Sequence, residues 1–188
     1  KINILAQAPQ DKQFINYYVS IGRLTHQKNY SFLIECFHEL IKKDDKIQLV
    51  IIGEGELKES LENKIKDLKL NNNIFLIGYK KNVYKYLKNA KAFILSSLWE
   101  DPGFVLIEAA FCNLNIITSN CPNGPFELLN DGKDGFMYQS NNKLDFLSKF
   151  NEYLLEDKNQ LLLKKIAVKK NSRDFTYFKH NIELSKIL

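Results

Sequence analysis

The chain alternates between two kinds of segment, and that alternation restricts its fold more than any other feature. Short apolar runs recur at YYVSIG (17–22), IQLVIIG (47–53), NIFLIG (73–78), KAFILSS (91–97) and LNIITSN (114–120). They are rich in β-branched and aromatic residues, and each ends on Gly, Ser or Asn, as buried strands do before a turn. Amphipathic stretches lie between them. In SFLIECFHELIKK (31–43), Phe32, Leu33, Cys36, Phe37 and Leu40 form one helical stripe; Leu57, Leu61, Ile65 and Leu68 do the same in ELKESLENKIKDLK (56–69). Strands with no polar face must be covered on both sides. The order therefore predicts an α/β fold, a doubly wound parallel sheet of about six strands. GFMY (135–138) supplies the sixth. From residue 143 onward LDFLSKFNEYLLED and QLLLKKIAVKK predict C-terminal helices packing back on the sheet.

At 188 residues the chain has room for one ordinary domain with a real core. No apolar run approaches the roughly 20 residues of a spanning helix. The N-terminal stretch lacks the long apolar region and small-residue cleavage site of a secretory signal. Cys36, Cys112 and Cys121 show neither C-x-x-C nor zinc spacing and read as reduced thiols, which points to the cytoplasm. The net charge of +5 is carried by 25 Lys against two Arg, Arg23 and Arg173. It reads as a solvated surface. With no basic stripe interleaved with aromatics, no nucleic-acid partner is expected. Peripheral contact with the anionic inner face of the cytoplasmic membrane stays open.

In doubly wound sheets ligands bind beyond the carboxyl ends of the strands. The loops to inspect are 22–30, 53–56, 78–82, 97–104 and 119–126. In GRLTHQKN (22–29), Gly22 permits a tight turn. Arg23 and Lys28 place two cations near a helix start, a setting that suits a phosphate or diphosphate. An ordinary loop with solvated charges fits the same residues. GEGELKES (53–60) lacks the third glycine of a dinucleotide fingerprint, since Lys58 stands there, and no G-x-x-x-x-G-K-[ST] occurs. Gly53 and Gly55 either let backbone approach a ligand or simply make the turn. In WEDPGFVLIEAAF (99–111), Pro102 and Gly103 open a helix, so the amides of Phe104, Val105 and Leu106 should face the crevice and favour an anion. Glu100 precedes that helix and Glu108 lies one turn into it. Carboxylates only accept hydrogen bonds, so hydroxyls, as in sugars, are their natural targets. Glu100 as a cap and Glu108 as a partner of the helix dipole explain the window equally well. Pro125 suits a first helical position with Glu127 in the first turn, which reads as structural punctuation. His26 reads as a solvated loop residue, and His38 and His180 as structural or exposed.

Taken in this order, SIGRLTHQKN, LVIIGEGELKESLE, IFLIGY, FILSSLWEDPGFVLIEAAFCNLNIITSN and GPFELLNDGKDGFMY resemble the C-terminal, donor-binding domain of GT-B glycosyltransferases of family 4, the group 1 transferases. The resemblance covers residues 17–140 and implies the Rossmann-like half of a GT-B fold. It implies that Glu108 binds the ribose hydroxyls of a nucleotide and Glu100 the hydroxyls of the donor sugar. Arg23 and Lys28 match the family's cations on the donor diphosphate. The Gly103–Leu106 amides would help hold sugar and phosphates, Gly22 would lie among the nucleotide-binding residues, and the base would rest near Gly53 and the Gly78–Tyr79 loop.

The activity implied is retaining transfer of a hexose from a nucleotide sugar, a UDP-sugar by analogy, to a hydroxyl of a glycan or lipid-linked acceptor in bacterial surface polysaccharide synthesis. No D-x-D motif is present to hold a divalent metal; Arg23, Lys28 and the helix start take that role, so no metal or other cofactor is expected. The family more often has E-G-F-G where this chain has Glu100-Asp101-Pro102-Gly103. Pro102 has no N–H, so the ligand-facing amides should begin at Gly103. On the same resemblance, residues 1–16 are a linker remnant from an N-terminal acceptor domain, and residues 17–188 are the nucleotide-sugar-binding domain, inactive in transfer without that partner. The competing expectation is a non-catalytic nucleotide-binding or regulatory α/β domain.

Overall fold

The computed structural model describes residues 14–101 and 103–175. Six strands form one parallel sheet: β1 (Tyr17–Ile21), β2 (Gln48–Ile52), β3 (Ile74–Leu76), β4 (Ala92–Leu95), β5 (Asn115–Ser119) and β6 (Phe136–Tyr138). Their order across the sheet is β3-β2-β1-β4-β5-β6. The chain winds outward from β1 to β3, returns to the far side of β1 with β4, and winds outward again to β6. The strand order thus reverses between β1 and β4, and the loops leaving those two strands part to opposite faces. In folds with this reversal, ligands bind in the crevice at that point.

Period-two alternation along each strand sorts the core into two layers. Tyr18, Leu49, Ile51, Ile94 and Ile117 face α1 (Tyr30–Lys43), α2 (Lys58–Asp67) and, beyond them in the chain, the helix Lys143–Leu155. Tyr17, Val19, Val50, Phe93 and Ile116 face the opposite layer. That layer is built from α3 (Tyr84–Asn89), α4 (Phe104–Phe111) and α5 (Pro125–Leu128), with α6 being Lys143–Leu155 and α7 Lys158–Asn171. Because both faces are covered, β1 and β5 are buried along their whole length, which is why neither shows the alternation of apolar and charged residues of a half-exposed strand.

The structure departs from the sequence expectations in three places. The short helix α3 has no side-chain cap, and nothing local marks its start. Only Val168 of α7 is buried, with Leu161 partly so, while Leu162, Leu163 and Ile166 are exposed; this helix packs back far less than its apolar content suggests. Phe14, inside the stretch assigned to a linker, is 2% exposed and packs its ring on Tyr17 and Phe75. The domain core therefore reaches at least three residues before β1. Residues 1–13 and 176–188, the latter including His180, lie outside the described residues. Among the described residues no helix is long and apolar enough to cross a membrane, and the three cysteines are free thiols.

Candidate functional site

At the switch point the loop after β1 is shaped by what it must pass. Gly22 donates its amide to Ile52 (3.0 Å), Leu24 donates to Glu54 (2.9 Å), and Gly53 donates to Gly78 (3.1 Å), so the loops after β1, β2 and β3 are stitched edge to edge. Gly53 is needed for this closeness: its φ is +152°, and a Cβ there would lie 1.9 Å from the Gly22 carbonyl oxygen. At Gly22 a Cβ would come within 3.0 Å of both Lys28 Cε and the Tyr30 hydroxyl. The missing side chain is the space through which the Lys28 stem runs.

Lys28 ends a short 3-10 turn, His26–Lys28, and its Nζ lies 2.6 Å from Glu100 Oε1. This pair joins residues 72 positions apart. Its side chains are 12% and 3% exposed, so both charges are largely out of water and each depends on the other. The Ser97 hydroxyl also donates to Glu100 Oε1. Around them the loops after β1, β4 and β5 interlock. Ser96 Oγ donates to the Lys28 carbonyl (2.7 Å), Leu98 N to the Gln27 carbonyl (2.8 Å) and Ser119 Oγ to the Ser97 carbonyl (2.6 Å). Beneath them Tyr30, fully buried, is kept protonated well above the ordinary range of a phenol, first by burial.

Glu100 is therefore neither a solvated loop carboxylate nor a helix cap; it is a buried counter-ion. The next residues turn into α4 at Gly103, whose φ of +72° is a left-handed conformation that glycine adopts without strain. The amide of Leu106 is already given to the Gly103 carbonyl at 2.9 Å. It leaves the set of three amides expected to face the crevice. Phe104 and Val105 lie in the first turn, where helix geometry provides no intrahelical acceptor. The Phe104 side chain is exposed and Val105 is partly buried.

Glu108 sits farther along α4, half-buried, and accepts a hydrogen bond of 3.0 Å from the Tyr84 hydroxyl on α3. Burial raises its pKa above the usual carboxylate value, and the Tyr84 bond draws it partly back. The Tyr84 hydroxyl is pushed up to about 12 by its own burial and then by the Glu108 charge.

The structure thus brings Gly22, Lys28, Gly53, Gly78, Glu100 and Gly103 into one interlocked rim. Arg23 is exposed on the same loop and, among the described residues, has no carboxylate partner; Tyr79 projects into solvent from the end of the third strand's loop. Glu108 stands apart from the Lys28–Glu100 pair and has its own partner. His26 is exposed, its ring 6.3 Å from that of Trp99, and His38 lies 3.9 Å from Glu39 on α1. Sequence reasoning missed Ser97 and Tyr84. The serine pair closing FILSS was a visible signal, because hydroxyls at the end of a buried strand need a partner. Tyr84 carried none.

A family model for group 1 glycosyl transferases matches residues 6–170. The chain belongs to that family. This group 1 chain is 41% identical over 135 residues to an uncharacterised glycosyltransferase of Methanocaldococcus jannaschii, covering 69% of this chain and 33% of that protein. It is 33% identical over 142 residues to the N-acetylgalactosamine-N,N'-diacetylbacillosaminyl-diphospho-undecaprenol 4-alpha-N-acetylgalactosaminyltransferase of Campylobacter jejuni, covering 76% and 38%. Among solved structures, a mutant of TarM from S. aureus in complex with fondaparinux, alpha-GlcNAc-glycerol and UDP superposes with a TM-score of 0.81. That match has 25% identity and covers 95% of this chain and 36% of that one. The chain spans about a third of the length of the curated relatives it matches. The α/β architecture expected from the strand and helix pattern is thus that of GT-B glycosyltransferases.

Proposed function

We propose that this chain is the donor-binding half of a retaining glycosyltransferase that moves a hexose from a UDP-sugar to a hydroxyl of a glycan or lipid-linked acceptor. The observation that carries it is the Lys28–Glu100 pair at the β1/β4 switch point, directly before the N-terminus of α4. The UDP in the TarM complex and the lipid-linked substrate named for the C. jejuni relative support the choice of donor and acceptor. The described residues, from Phe14 onward, would belong to the nucleotide-sugar-binding domain, with the acceptor held by a separate N-terminal domain.

In this reading Arg23 supplies a mobile cation to the donor diphosphate. Lys28 supplies one already oriented, held between Glu100 and the ligand. As the bond to the anomeric carbon breaks, negative charge builds on the departing diphosphate. Positive charge fixed there beforehand lowers the barrier without reorganisation. The amides of Gly103, Phe104 and Val105 add the partial charge of a helix start. Glu100, at once a counter-ion for Lys28 and an acceptor for sugar hydroxyls, aligns the sugar with the cation that receives its leaving group. Glu108 accepts from the ribose, and the base lies along Gly53, Gly78 and Tyr79. Departure of the diphosphate and attack by the acceptor oxygen on one face of the sugar give retention, the hydroxyl proton passing to the departing diphosphate, whose charge the cations carry without a metal.

Calorimetry of the chain with UDP, GDP and ADP tests the donor site. UDP should bind, and its affinity should be unchanged by EDTA. If the folded chain binds none of the three, the proposal fails. A donor-sugar screen on a protein that also carries the acceptor domain then identifies the hexose and, from the anomeric configuration of the product, the stereochemistry.

A further inference from the structure

Glu108 differs from Glu100 in having, among the described residues, one side-chain hydrogen-bond partner, and that partner comes from a helix that sequence patterns do not reveal. Tyr84 is the first residue of α3, five positions after Tyr79 in the loop that follows β3. Its hydroxyl donates to Glu108 Oε1 at 3.0 Å across a separation of 24 residues. Among the described residues no other side chain hydrogen-bonds to that carboxylate, so Oε2 is left for a ligand. A phenol has one proton to give. Once that proton is committed to Oε1, the carboxylate plane is set.

We propose that Tyr84 is a positioning residue for Glu108, holding its carboxylate to accept from a vicinal diol, so that the site selects nucleotides carrying both ribose hydroxyls. The inference rests on Glu108 reading the ribose, as set out above. A carboxylate on a freely rotating stem would accept from one hydroxyl or the other, but one pinned at Oε1 presents a fixed acceptor edge. Tyr84 also links two parts of the site. α3 begins directly after the 78–82 loop, and α4 carries Glu108, so a shift of that loop on meeting a base moves the hydroxyl that aims the carboxylate.

The charged and titratable surroundings are few. At the C-cap of α4, one turn on, the Cys112 amide donates to the Glu108 carbonyl, and its thiol is pushed up to about 11, first by burial and then by the Glu108 charge. Lys88 on α3 and Lys169 on α7 act on that thiol. Against Glu108, burial favours the protonated form and the Tyr84 hydroxyl favours the carboxylate. Removing the hydroxyl should move the loss of diol binding to higher pH.

The experiment is calorimetry from pH 5 to 8 with UDP and with 2′,3′-dideoxy-UDP, on the unaltered chain, Tyr84→Phe and Glu108→Gln. The unaltered chain should prefer UDP. Tyr84→Phe should weaken UDP by about tenfold, the scale of one hydrogen bond. It should leave the dideoxy nucleotide unchanged and raise the pH at which UDP binding is lost. If Tyr84→Phe weakens both ligands equally, or neither, with the pH midpoint unmoved, the positioning role is wrong while the ribose role stands. If Glu108→Gln binds both ligands as the unaltered chain does, the ribose role itself is wrong, and the Tyr84 inference falls with it. Since Tyr84→Phe keeps the ring, an unchanged thermal midpoint separates these outcomes from misfolding.

Discussion

The stretch from Trp99 to Phe111 holds two carboxylates in opposite ways. Glu100 is 3% exposed and locked to a cation from 72 residues away, with a serine hydroxyl on the same oxygen. Glu108 is half-buried, touched by a neutral phenol, and among the described residues keeps one oxygen without a side-chain donor. The first is part of the architecture as well as the chemistry: without it, three loops lose the centre they are tied around. The second is free to respond to a ligand. A short spacing motif therefore contains one residue whose removal should read mainly as unfolding and one whose removal should read mainly as lost binding.

The comparison is broken most forcefully at Lys28. Lys28→Ala leaves Glu100 buried and unpaired and should cost about 3–5 kcal/mol of stability, measured by urea unfolding. The double variant Lys28→Met with Glu100→Gln should recover much of that loss, because no net charge remains buried. Recovery of nothing would mean the pair is not the source of the cost. Next comes Gly103→Ala, which forces a side chain into φ +72° and should cost about 1–2 kcal/mol. Its thermal midpoint should fall, and UDP affinity should fall further as the start of α4 shifts.

Glu108→Gln is expected to change stability by less than about 1 kcal/mol while lowering UDP affinity about tenfold. The pH dependence gives the sign. The folded carboxyl keeps its proton to higher pH than the ordinary 4.5. Between that value and its raised folded pKa the native state holds more protons than the unfolded one. Stability should therefore fall as pH rises through this window, and Glu108→Gln should lack that slope. The smallest effect on stability belongs to the exposed Arg23. Arg23→Ala should stay within about 0.5 kcal/mol in unfolding, yet weaken UDP more than uridine. Equal loss for both ligands would count against a phosphate contact.

Much of this molecule was legible before any coordinates. All six strands fall inside the apolar runs, and the α1 stripe of Phe32, Leu33, Cys36, Phe37 and Leu40 is buried as its spacing requires. The switch point follows from strand order, which the alternation of strand and helix suggests but does not by itself prove. The site was legible as a set of loops and as a resemblance, less so as a geometry. Lys28 and Glu100 were each singled out, but as two separate contacts to a ligand rather than as contacts to each other. Ser97 was hidden in plain view at a strand end. Tyr84 was not visible at all, because a six-residue helix without a cap has too little periodicity to orient a side chain.

What the chain order alone determines is local and periodic: which residues form strands, which helical faces are apolar, and where glycines and prolines break the backbone. Those follow from steric limits and burial that act over a few neighbouring residues. Only the tertiary structure decides which cation neutralises Glu100 and which hydroxyl aims Glu108. Those partners lie 72 and 24 positions away, in loops and a short helix whose meeting depends on how the sheet twists and on the closeness that Gly22 and Gly53 allow. Charge pairing between distant segments leaves no period in a sequence; it is fixed only when the packed core brings the two ends together.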